Sequence, residues 1–90
     1  MAQILKTTGE KERVETKGWE LKNWQKAVGG LIEQVNLKDG VVLIVNEEGK
    51  LKNLPINELA TAMFQRVHGE IDVIVGDVVV ANIIENGELE

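Results

Sequence analysis

Residues Val41–Ala60, VVLIVNEEGKLKNLPINELA, decide how this chain folds. Val41–Val45 is apolar without alternation, the pattern of a central strand covered on both faces by helix, second sheet or partner subunit. It breaks at Asn46-Glu47-Glu48-Gly49, a turn, after which Lys50-Leu51-Lys52 is expected to return as a short charged edge segment. Leu54-Pro55 ends that return, because proline has no donor for a ladder. Asn57 then reads as an N-cap, with Glu58 against the positive end of a helix dipole. Leu59, Ala60, Met63, Phe64 and Val67 form the apolar face of that helix. Gly69 closes it, and His68 sits favourably in its last turn.

Toward the N-terminus, Leu31–Leu37 reads as a strand joined to Val41–Val45 through Lys38-Asp39-Gly40, an Asp-Gly hairpin signal. In that strand Glu33 shares its face with Leu31, Val35 and Leu37, so period two aims a carboxylate at the apolar side. It lies at the rim of a pocket, or a bulge turns it outward. Before this, Leu21, Trp24 and Val28 mark one face of a helix starting after Gly18, with Glu20 in its first turn, and Gly29-Gly30 stops it. Ala2–Thr7 and Arg13–Lys17 pair as two strands across the Thr8–Lys11 turn.

Beyond the second helix, IDVIVGDVVVANII (residues 71–84) is strand material interrupted at Gly76-Asp77. A two-residue hairpin and a glycine bulge in one long strand both fit that interruption. The expected order is strand, strand, helix, strand, strand, helix, strand, with an eighth element if Gly76-Asp77 is a turn. The fold class is α+β: a mainly antiparallel sheet with two amphipathic helices packed on it. Residues 1–84 form the single domain and residues 85–90 a polar C-terminal tail. Two helices can hardly cover both sheet faces, so a homo-oligomer is expected.

The composition excludes more than it selects. The 90 residues are 43% hydrophobic and 28% charged, with a net charge of −5 and no cysteine. Disulfides and cysteine-based zinc sites are therefore ruled out. Net negative charge disfavours nucleic acid as a partner, since phosphate binding needs clustered Lys and Arg. No apolar run approaches the ~20 residues of a membrane span, and the N-terminus turns charged before a signal core forms. A cytoplasmic protein with no membrane partner is the expectation.

Serine is absent, which removes serine nucleophiles. His68 is the single histidine and reads as a helix-end group rather than a base. Trp19 and Trp24 read as core anchors in preference to base-stacking platforms, and being five apart they share a face if Trp19 precedes the helix and folds back. No catalytic residue, metal ligand or cofactor is expected. The residues singled out for ligand binding are Glu33, Asn46, Glu47, Asn57 and Asp77. The two amides flank the NEEGKLKNLP connection and can read a ligand's donors and acceptors, although a turn residue and an N-cap would also be asparagines.

Val28–Thr61 together with the IDVIVGDVVV segment resembles a family of small phage and mobile-element proteins, the domain of unknown function 3846. The residues that carry the resemblance are Gly29, Gly30, Ile32 and Glu33, then Asn46, Glu47 and Gly49. Leu54, Pro55, Asn57, Ala60 and Thr61 follow at a helix start, and Asp72, Gly76 and Asp77 near the final strand. The resemblance implies an accessory role, such as counter-defence in a host cytoplasm, and no particular chemistry. The leading expectation is a non-catalytic protein that binds a small polar, nucleotide-like ligand or a host protein. The alternatives are an acidic decoy of a nucleic-acid-binding protein, whose carboxylates would gather on one face, and a small enzyme with Glu33 or Glu47 beside Asp72 or Asp77 in a cleft.

Overall fold

A computed structural model describes residues 2–84 and 86–90. The elements follow the order β1 (Ala2–Leu5), β2 (Lys11–Val14), α1 (Leu21–Val28), β3 (Ile32–Asn36), β4 (Val41–Asn46), α2 (Glu58–His68) and β5 (Val78–Asn82). The five strands form one antiparallel sheet in the order β2-β1-β5-β4-β3. The Val41 run lies second from one edge, between β3 and β5. Every residue from Val42 to Asn46 is buried. This is why the run does not alternate: each side chain meets a core, whichever way it points.

Alternate residues along the strands feed two cores. Ala2, Val42, Ile44, Val79 and Ala81 pack with Val28 of α1, joined by Ile4, Trp19, Trp24 and Leu89. Leu5, Leu43, Val45 and Val78 pack with Ala60 of α2 and with Ile74, joined by Leu59, Met63 and Phe64. One helix therefore lies on each face of the sheet. Each helix spans only part of its face, and on the α2 side Leu5, Val41 and Val80 are left lining an open groove. The Cα radius of gyration, 12.1 Å, matches the ~12 Å of a single domain this long.

Local signals in the sequence account for most boundaries. Asn57 caps α2, its Oδ1 accepting from the Ala60 amide at 3.0 Å. Gly29, in the left-handed region, ends α1 and donates to the Gln25 carbonyl at 2.8 Å. The β3–β4 hairpin turns through Asp39 and Gly40, both with positive φ, as an Asp-Gly turn requires. Glu20 is the N-cap of α1 rather than a first-turn residue, and its amide donates to Asn23 Oδ1 at 2.9 Å.

Three expectations fail for identifiable reasons. Lys50-Leu51-Lys52 forms no edge strand. Residues 47–53 stay in turn conformation, with amides of Lys52, Asn53 and Leu54 bonded back to Glu48, Lys50 and Gly49. Ile71–Val75 is not strand either, so Gly76-Asp77 is neither a hairpin turn nor a bulge in one long strand. Apart from a single bridge between Ile56 and Val75, that segment's backbone is held by α2 and its entry. Finally, Glu85, the first residue of the expected tail, lies outside the described residues, but residues 86–90 fold back on the sheet. Asn82 and Glu90 exchange amide-carbonyl bonds of 2.9 and 2.8 Å, and Leu89 packs beside the α1 core. The half-buried Leu89 side chain and these backbone bonds dock the stretch together.

Candidate functional site

The sequence around β3 and the Asn46–Gly49 turn builds a cleft of about 250 Å³ on the α2 side of the sheet. Glu33 and Val35 come from β3, Val45 from β4, and Glu47, Lys50 and Leu51 from the following turn. Phe64 of α2 and Asp72–Val75 complete the wall. Glu33 pairs directly with Val45 in an unbroken register, so no bulge turns it away and its carboxylate stands at the rim. Three carboxylates and one ammonium thus surround an aliphatic and aromatic lining.

The turn that bears Glu47 is held by Asn46. Its Oδ1 accepts from the Glu48 amide at 2.8 Å, while its Nδ2 donates to the Val28 carbonyl at the end of α1 at 3.2 Å. Gly49 is buried next, where an added Cβ would lie 2.8 Å from Val75 Cγ2 and 3.3 Å from the Asn46 carbonyl. The turn and the far wall of the cleft therefore touch through a position where even a Cβ would force Val75 or the turn aside.

That far wall is fixed by side chains of α2 and by backbone bonds to the entry of α2 rather than by a strand ladder. Thr61 Oγ1 accepts from the Ile74 amide at 2.9 Å and donates to the Ile74 carbonyl at 3.2 Å. Gln65 donates to the Asp72 carbonyl at 3.0 Å, and the Asn57 amide donates to the Ile74 carbonyl at 2.8 Å. Lys50 Nζ closes the rim with a charged hydrogen bond to Asp72 Oδ1, which also accepts from the Val73 amide at 2.8 Å. The Lys50 hydrogen bond, then the Val73 amide, hold the Asp72 carboxyl below the usual carboxylate range. Asp72 is thus an ionised anchor and a poor proton donor.

The five residues singled out from the sequence do not form one constellation. Glu33, Asn46 and Glu47 border this cleft, although the Asn46 amide is occupied by backbone partners. Asn57 is fully buried: its Nδ2 donates to the Leu5 and Gly76 carbonyls at 2.8 Å each, while its Oδ1 caps α2. Asp77 lies elsewhere, accepting from the Thr7 amide at 3.0 Å beside a shallow cleft near the end of α1. Among the described residues no group of three His, Cys, Asp or Glu side chains is disposed to hold a metal ion.

Lys50, Leu51 and Phe64 join the site without any sequence signal for it. Lys50 and Asp72 are 22 positions apart, and only the irregular course of residues 71–77 brings them together. The remaining aromatic groups have structural partners. Trp19 folds back from before α1 to meet Trp24 edge-on, with ring centroids 4.8 Å apart. His68 stacks on Phe64 and its Nε2 lies 2.8 Å from the Asn36 carbonyl, tying the end of α2 to β3. A carbonyl only accepts, so the Nε2 proton belongs in that contact.

Compared with known families, residues 1–90 match the family Domain of unknown function (DUF3846). The chain belongs to this family. The match takes in the N-terminal hairpin and α2 as well as the motifs quoted above. No curated protein and no solved structure matched the chain. Among the described residues no helix is long and apolar enough to cross a membrane.

Proposed function

We propose that this DUF3846 protein is a small non-catalytic accessory protein of a phage or mobile element. In this reading it acts in the host cytoplasm and captures a small polar ligand in the Glu33–Glu47–Asp72 cleft. The observation that carries it is the cleft's composition: carboxylates of Glu33, Glu47 and Asp72 against the single ammonium of Lys50, over Val35, Val45 and Phe64. Such a lining favours donor-rich or cationic groups attached to a flat or apolar body and opposes phosphate. A nucleotide-like ligand would enter by its base, with its phosphates outside.

Titration calorimetry with agmatine, adenosine and AMP tests this. Agmatine or adenosine should bind more tightly than AMP, and the Glu33→Gln, Glu47→Gln double variant should lose that binding while Asp77→Asn keeps it. Binding of AMP alone, or of none of the three, sinks the proposal. A protein partner is a second reading, supported by Leu51 and Ile71, which stand 83% and 77% exposed at and beside the cleft. A partner's Lys or Arg would then fill the cleft while these two anchor the rim.

A further inference from the structure

The second side of the α2 layer holds a larger groove, about 670 Å³, of a size usual for small-molecule sites. Its floor is Leu5, Val41 and Val80, and α2 walls it with Leu59, Ala62 and Met63. The lining contains no aromatic ring. Strand register decides the charge around it. Lys11 pairs with Leu5 and Arg13 with Gln3, so period two sends both cations of β2 to the α2 face. Glu12, paired with Ile4, goes to the α1 face.

Lys11 and Arg66 line the groove, and Lys38 joins Arg66 in a smaller adjoining hollow. Glu58 is the one carboxylate of the lining. Among the described residues no carboxylate lies within 4.0 Å of the nitrogens of Lys11, Arg13, Lys38 or Arg66; Lys6, Lys22, Lys50 and Lys52 are paired, while Lys17 and Lys26, which do not line this groove, are also without an ion pair. In a chain of net charge −5 this is a local reversal of sign around an aliphatic floor. Unpaired cations beside uncovered aliphatic surface match an anion with an aliphatic tail, and the absence of a stacking ring disfavours a nucleobase.

We infer that this groove is a second, separate binding site, for a free single-chain aliphatic anion whose carboxylate or phosphate meets Lys11 and Arg66 while its tail lies on Val41, Val80 and Met63. Octyl phosphate and octanoate below their micellar concentrations are the probes, with octanol, AMP and phosphatidylglycerol vesicles as comparisons. Titration calorimetry should show saturable binding of a probe at least about tenfold tighter than octanol. Amide shifts in NMR should concentrate at Val41, Val80, Leu59 and Met63. Lys11→Gln with Arg66→Gln should weaken binding about tenfold, and Ala62→Phe, which leaves both cations in place, should block the groove and abolish it. Glu33→Gln with Glu47→Gln should leave it unchanged, which separates this site from the acidic cleft. The inference is overturned by failure of both probes to bind, equal binding of octanol, preference for AMP, binding to vesicles alone, or shifts centred on Trp19 and Trp24.

Discussion

Asn57 shows how one side chain can look like a ligand contact and be a joint of the fold. Its amide serves three backbone groups, in β1, in α2 and at Gly76, and no water reaches it. Asn57→Ala removes the cap and strands two buried carbonyls, so a loss of about 2–4 kcal/mol is expected in urea denaturation. Asn57→Asp keeps the cap yet turns a carboxylate toward both carbonyls, and should be no more stable than the alanine variant. A near-neutral aspartate would mean that Nδ2 contributes little. Asp72 presents the opposite case, an exposed group with a clear electrostatic task. Its folded pKa lies below the reference 3.8, so its ion pair contributes stability above that pH and loses it as pH falls through the folded value. Exposure keeps the effect small. In an NMR carboxyl titration, Lys50→Met should move the Asp72 midpoint up toward 3.8; an unmoved midpoint would deny Lys50 its role.

Among the elements, residues 71–77 are the most instructive. Ile71-Asp72-Val73-Ile74-Val75 has the composition of a strand and does not become one, because the Thr61 and Gln65 side chains and the backbone amide of Asn57 take over its hydrogen bonds. Side chains that compete locally for backbone groups can outweigh β propensity. Thr61→Val keeps the shape of the side chain and deletes both bonds to Ile74. The Ile74 amide should then exchange faster with solvent, while amides in β4 keep their protection. Equal protection of Ile74 in both proteins would show that packing alone holds the segment. The Gly49 turn meets the same wall, and Gly49→Ala should cost about 1–3 kcal/mol by forcing Val75 or the turn aside. The signals for α1, α2 and the β3–β4 hairpin were legible in Gly29, Asn57 and Asp39-Gly40 because caps and tight turns are decided by neighbours in sequence.

For the whole molecule, β4 divides the protein into two cores. Leu43 faces α2 and Ile44 faces α1, and both are buried. Leu43→Ala and Ile44→Ala should each cost about 2–5 kcal/mol in chemical denaturation, since each empties a different layer. A mild effect at one of them would mean that its helix packs loosely. The α2 layer also separates charge: Glu33, Glu47 and Asp72 border one opening, Lys11 and Arg66 the other. The sequence alone determined the two helices and the five strands, though not the irregular course of residues 47–53 and 71–75, together with the antiparallel α+β class, the interior position of Val41–Val45, the family, and the rim position of Glu33 as one of two readings. Those follow from periodicity, caps and turn residues, which act over a few positions. Tertiary structure alone decided the helix on each face, the irregular path of residues 71–77, the pairing of Lys50 with Asp72 and the two oppositely charged openings. These depend on which buried amides and carbonyls find partners far away in the chain, and no local pattern records that choice.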